Sequence, residues 1–259
     1  MKGKYISTSL DGNICVVTVD RPPVNSLNSG LMNELTSTFT DLAGNDDIRA
    51  VVLTGQGEKA FVAGADITEV KDLSENEGKA FSHKGQALTS AIANCPVPVI
   101  CALNGLALGG GCEIAMACDI RIIVDDAIIG FPEASLSLLP GAGGTQRLPN
   151  LIAPGMAKLL LFTATPISAS EAVNCGLVEK SVPREALMDT CLKMARKIAS
   201  NGPLAVRAIK RLIGKSFELP LEEGLAAEQD EFGKLCTSSD KLEGINSFFQ
   251  KKKPVYTGQ

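Results

Sequence analysis

From Asn13 to Asp20 the chain reads Asn-Ile-Cys-Val-Val-Thr-Val-Asp, apolar on both of the alternating faces that a strand presents. Such a strand has to be covered on two sides, which points to a sheet with helices over it. Arg21-Pro22-Pro23 ends the strand. Leu31, Leu35, Phe39 and Leu42 then recur at helical spacing, with Asn28 or Ser29 as cap. A second β-rich run covers 48–54. The alternation continues with a helix over about 79–94, a strand over 97–103, a short helix from about Gly110, and strands near 119–124 and 127–131. The class is α/β. No internal sequence repeat is visible.

After Pro149 the punctuation becomes that of helices. Ser168-Ala-Ser-Glu171 is a capping box, and Gly176 stands where a helix end takes a left-handed residue. A short strand, 177–182, is expected to rejoin the sheet. Beyond it only helices are written, over 184–199, 203–217, 221–235 and 240–249. A soft boundary near Pro183 separates a core domain, 1–183, from a helical segment, 184–259. That segment is expected to pack against another subunit or fold back over the core.

Composition removes several function classes. In 259 residues no apolar run approaches the ~20 that a membrane span needs. The start, Met1-Lys2-Gly3-Lys4-Tyr5-Ile6, lacks the long apolar stretch of a secretory signal, so a soluble, cytoplasmic protein is expected. The eight cysteines (15, 95, 101, 112, 118, 175, 191 and 236) form no C-x-x-C pair and lie mostly among apolar neighbours, as reduced core thiols do. The single histidine, His83, has no cluster of ligands around it, so no metal is assigned and a surface helix position is expected. A net charge of −4 leaves no electrostatic footprint for nucleic acid, and the only basic run is Lys251-Lys252-Lys253.

Three glycine-containing segments could carry chemistry. In Ala63-Gly64-Ala65-Asp66-Ile67, small residues let backbone N–H groups approach a ligand. In Asn104 through Glu113, a strand end runs through Gly109-Gly110-Gly111 into a helix, which aims unpaired N–H donors at a developing negative charge. Glycine content alone weighs equally for a tight, closely packed turn. The third segment, Phe131-Pro132-Glu133 followed by Pro140 to Thr145, supplies a second carboxylate. Cys112, Ile114 and the small apolar residues up to Ala117 describe a buried helix, so Glu113 within it needs a partner or a task. Gly214-Lys215-Ser216 mimics the end of a phosphate-binding loop, but Ile209 replaces the required first glycine. The glycines of 105–111 lack dinucleotide-binding spacing, and Ser135 and Ser137 lack a histidine base.

Taken together, Arg21-Pro22 with Asn25-Ser26-Leu27-Asn28, Ala63 to Ile67, Asn104 to Glu113, Pro132-Glu133 and Pro140 to Leu148 occur in the order and spacing of one family. Across essentially its whole length the chain resembles the enoyl-CoA hydratase/isomerase (crotonase) family. The resemblance implies a spiral of strand-strand-helix turns with a C-terminal helical trimerisation segment, the trimers often paired into hexamers. It implies an acyl-CoA thioester as substrate, with coenzyme A part of that substrate and no separate cofactor. The N–H groups of Ala65 and Gly110 would hold the thioester oxygen. Ser26, Leu27, Ala63, Ala65, Asp66 and Ile67 would contact coenzyme A, with Ala63, Asp66 and Ile67 at its adenine end. Glu113 and Glu133 fall on the two catalytic glutamates, and Gly141 where an N–H helps to place the water. Having both glutamates favours hydration over isomerisation. The chain departs from the pattern at Phe131, expected to narrow or reshape the acyl pocket, and at Ser137, where the family usually has glycine. These departures keep open an isomerase or a hydratase of a dienoyl or cyclic acyl-CoA. A non-catalytic acyl-CoA or RNA binding protein on the same fold is the alternative from another class.

Overall fold

A computed structural model describes residues 3–259, so Met1 and Lys2, part of the start read above as leaderless, lie outside the described residues. In chain order the elements are β1 (Ile6–Asp11), β2 (Ile14–Val19), α1 (Ser29–Ala43), β3 (Ala50–Gly55), β4 (Ala60–Val62), α2 (Ile67–Val70), α3 (Glu75–Ala93), β5 (Val99–Leu103), β6 (Leu106–Leu108) and α4 (Gly110–Ala117). They continue with β7 (Ile120–Val124), β8 (Ile128–Gly130), a 3-10 turn (Glu133–Leu136), α5 (Gly144–Leu151), α6 (Pro154–Thr163), β9 (Ile167–Ser168), α7 (Ala169–Asn174) and β10 (Lys180–Val182). A second 3-10 turn (Arg184–Ala186) leads into α8 (Leu187–Ala199), α9 (Pro203–Lys215), α10 (Leu221–Cys236) and α11 (Ser239–Phe249).

The strands form two sheets, of order β1-β2-β3-β5-β7-β10 and β4-β6-β8-β9. Each of the pairs β3/β4, β5/β6 and β7/β8 sends its first strand to the larger sheet and its second to the smaller, and neighbours within each series run parallel. That arrangement is the expected spiral. All six residues of β3 and all five of β5 are buried, because layers cover both faces of the sheet. Buried amides tie successive turns together. Asn25 Nδ2 donates to Ala60 O and Phe61 O, and Asn104 accepts from Gly55 N–H while donating to Gly57 O. Arg121 on β7, 2% exposed, donates to Cys118 O and Leu177 O and pairs with Glu179, which fastens the approach to β10.

Most expected elements form, with shifted ends. Asn28 caps α1, and Ser74 with Glu77 makes a capping box that starts α3 four residues before the expected residue 79. Ser168 and Glu171 form the predicted box, and Gly176 has φ +82°. The periodicity did not mark β1. Ile-Ser-Thr-Ser-Leu-Asp lies antiparallel at the sheet edge with its last three residues exposed, so it needs no continuous apolar pattern. The apolar core continues past residue 183, since Leu187, Cys191 and Ala195 of α8 join it beside β3, β5 and β7. Helices α9 to α11 and the turn after α9 instead expose Ile209, Ile213, Phe217, Leu221, Leu225 and Phe232, with Phe248 and Phe249 edge to face at their end.

Cys15, Cys95, Cys101, Cys112, Cys118 and Cys191 are buried free thiols, Cys175 is half-buried and Cys236 is exposed. His83 is exposed on α3. Among the described residues, no helix is long and apolar enough to cross a membrane.

Candidate active site

Glu113 sits in the first turn of α4, all eight residues of which are buried, and is itself 3% exposed. Its Oε1 accepts two main-chain hydrogen bonds, from Ala142 N–H and Gly144 N–H, each 2.7 Å. Burial pushes the carboxyl up to about 7, and the nearby Glu133 carboxylate adds to the rise. The two amide donors and the Arg147 guanidinium oppose it.

Glu133 opens the 3-10 turn that follows β8. Burial raises its carboxyl too, and its Oε2 is buried without a hydrogen-bond partner. The neighbouring residue must be glycine. Gly109 has φ +51° and ψ −119°, and a Cβ there would run into Glu133 Oε1.

Two main-chain donors border the same cavity. Leu27 and Ala65 form a parallel bridge in which Leu27 N–H donates to Gly64 O (2.8 Å) and Asp66 N–H donates to Leu27 O (2.9 Å). The Ala65 N–H therefore points away from Leu27. Gly110 is the first residue of α4, where an N–H has no partner inside the helix. Ala65, Gly110, Glu113, Glu133 and Gly141 all line one cavity of about 390 Å³. Val70, Leu73, Phe81 and Leu138 give it an apolar wall.

Of the residues expected to contact coenzyme A, Leu27, Ala63, Ala65 and Ile67 line this cavity and Ser26 and Asp66 do not. Asp66 is already engaged. It caps α2 through Thr68 and pairs with Arg21 at 2.6 Å, and these bonds hold its carboxyl low. Arg21 also donates to Ser26 O at 2.9 Å, so one guanidinium joins the 25–28 and 63–67 segments.

One expectation is corrected. Phe131 is 1% exposed and lies behind Gly144, outside the cavity wall, so it fills core and does not narrow the pocket. Ser137 takes the left-handed conformation, φ +56°, ψ +33°, which explains a preference for glycine at that position.

Sequence reasoning passed over the support of the Gly141–Gly144 turn. Ser82 Oγ donates to Gly141 O (2.6 Å), Gln86 Nε2 to the same oxygen (3.1 Å) and Thr89 Oγ1 to Ala142 O (2.8 Å). Arg147 Nη1 lies 3.3 Å from Thr89 Oγ1. The available signal was the polar spacing 82, 86, 89 on one helical face. Among the described residues, no group of three or more His, Cys, Asp and Glu side chains could hold a metal ion.

Comparison with known proteins gives one consistent result. The enoyl-CoA hydratase/isomerase family model matches residues 9–259. A short-chain-enoyl-CoA hydratase of Clostridium acetobutylicum is 43% identical over 244 residues, 94% of each chain. A crotonyl-CoA hydratase of Syntrophomonas wolfei is 42% identical over 241 residues, 93% of each. The crystal structure of an enoyl-CoA hydratase from Bacillus anthracis superposes with a TM-score of 0.96 at 40% identity, covering 99% of this chain and 100% of that one.

Proposed function

This chain belongs to the enoyl-CoA hydratase/isomerase family, and we propose that it is a lyase adding water across the 2,3 double bond of a short-chain enoyl-CoA thioester to give the 3-hydroxyacyl-CoA. One observation carries this reading. A buried carboxylate, Glu113, a half-buried one, Glu133, and two main-chain N–H groups without partners in secondary structure border the same cavity.

The thioester oxygen is held by the N–H groups of Ala65 and Gly110. As water attacks C3, charge moves onto that oxygen, and each such donor is worth ~10²–10³ in rate. Glu113 takes the proton from water and Glu133 delivers one to C2. Burial raises both carboxyls, Glu113 to about 7, and two main-chain donors on Oε1 fix Glu113 in place while Oε2 of Glu133 has no partner. Gly141 helps to place the water. Both carboxylates being present supports hydration over isomerisation, for which a single proton shuttle is enough.

Coenzyme A enters as part of the substrate, along Leu27, Ala63, Ala65 and Ile67, and no further cofactor takes part. Residues 1–183 carry catalysis and 184–259 carry assembly into a trimer or a pair of trimers, because the apolar side chains exposed on α9 to α11 need cover. A cytoplasmic location fits this chemistry. The test is turnover of trans-2-enoyl-CoA and 3-enoyl-CoA thioesters of graded length. Hydration fastest on the four-carbon substrate is expected, and tight acyl-CoA binding without turnover refutes the reading. Sedimentation as a monomer at micromolar concentration refutes the assembly.

A further inference from the structure

We propose that Ser82 and Gln86, one turn apart on α3, are positioning residues that set how readily Glu113 takes a proton, acting through the peptide between Gly141 and Ala142. The inference rests on the hydratase reading and extends it to two residues of α3, of which Ser82 also borders the cavity.

The Gly141 carbonyl and the Ala142 N–H belong to one planar trans peptide, so they point in opposite directions. On one side the oxygen accepts from Ser82 Oγ at 2.6 Å and Gln86 Nε2 at 3.1 Å. On the other the N–H donates to Glu113 Oε1 at 2.7 Å. Gln86 Nε2 also lies 3.2 Å from Ser82 Oγ, which closes a small network around that oxygen. Drawing the carbonyl toward α3 fixes the plane of the peptide, aims its N–H at the carboxylate and polarises it as a donor. The turn lies close against α3 at Gly85, where an added Cβ would come within 2.9 Å of Ala142 Cβ. Thr89 holds the next peptide, through Ala142 O, and no hydrogen bond links that peptide to Glu113.

The charged groups around Glu113 are few. Glu133 faces it from the 3-10 turn and Arg147 from α5, while Cys112 precedes it on α4. Arg121 of β7 donates to Ala115 O, farther along α4. β4 and β6, Ala-Phe-Val and Leu-Ala-Leu, carry no titratable side chain. From α3 the turn meets Ser82, Gln86 and Thr89, all uncharged. Removing the Ser82 and Gln86 bonds therefore changes no charge near Glu113, and the peptide is the hydrogen-bonded link from those side chains to its carboxylate.

The test is Ser82→Ala combined with Gln86→Leu, with Gln86→Leu alone as a milder variant at an exposed position. A weaker amide donor favours the protonated carboxyl, so the acidic limb of kcat/KM for crotonyl-CoA should move up by ~0.5–1 pH unit. Activity at about pH 6.5 falls ~3- to 10-fold and returns to within ~2-fold of wild type at about pH 9, while KM stays nearly constant. Gln86→Leu alone shifts the limb less, in the same direction, and Ser82→Thr, which keeps the hydroxyl, restores the wild-type limb. Carboxyl-¹³C NMR of Glu113 should show the same upward shift without substrate. An unmoved limb, or an equal loss at every pH, overturns the inference while the hydratase reading stands. A wild type that hydrates no enoyl-CoA removes both.

Discussion

The two carboxylates that meet in the cavity are held in opposite ways. Glu113 belongs to a buried helix and has one oxygen fixed by two main-chain donors. Glu133 belongs to a four-residue turn, and one of its oxygens has no partner. Both are raised by burial, Glu113 to about 7, and the contrast between them lies in how firmly each is held.

The strongest way to break this contrast is to neutralise each group. Glu113→Gln and Glu133→Gln should each lower kcat for crotonyl-CoA hydration by ~10²–10⁴ with far less change in KM. The double variant should lose much less than the product, since both carboxylates serve one water and one proton transfer. Full multiplicativity in steady-state rates would mean that they act independently.

A less direct assault displaces Glu133 without altering its chemistry. Gly109→Ala puts a methyl group where Glu133 Oε1 lies and forces a backbone conformation costing ~1–3 kcal/mol. A ~10- to 100-fold loss of kcat is expected, with Glu113 still titrating near neutrality by NMR. Unchanged kcat in the folded variant would show that Glu133 need not be fixed.

Stability sharpens the contrast further. The Glu113 carboxyl, folded at about 7 against an ordinary 4.5, favours the native state when protonated. That contribution is complete below about pH 4.5 and is lost as the pH rises through about 7, a change on the order of 3 kcal/mol. Glu113→Gln removes the loss, so relative to wild type it should gain stability between pH 5 and about pH 8 in urea melts. A constant difference across that range would contradict the buried, raised carboxyl. The smallest effect belongs to Ser137→Gly, which relieves a left-handed backbone beside Glu133 and should change stability by less than ~1 kcal/mol with kcat retained.

The α/β alternation was legible because β2, β3, β5 and β7 are mostly apolar along their length, whereas the spiral itself came from the family resemblance. Glu113 could be singled out because its helix is otherwise apolar and small. What stayed hidden depended on contacts distant in sequence. Ser82 and Gln86 meet Gly141 across 59 and 55 residues, and their one local mark, the polar spacing 82, 86, 89, does not say what they meet. Phe131 misled because one place in sequence separates a side chain behind the turn from Pro132, which lines the cavity.

The two donors at Ala65 and Gly110 belong to the main chain, which has a genetic consequence. Every codon except proline's encodes an N–H, so random substitution seldom deletes such a donor, whereas a single nucleotide change can remove either glutamate. A saturation library scored for growth on the reaction should therefore read the cavity unevenly. Losses should concentrate at Glu113, Glu133 and the left-handed glycines 64, 109 and 143, and Ala65 should register mainly as a limit on size.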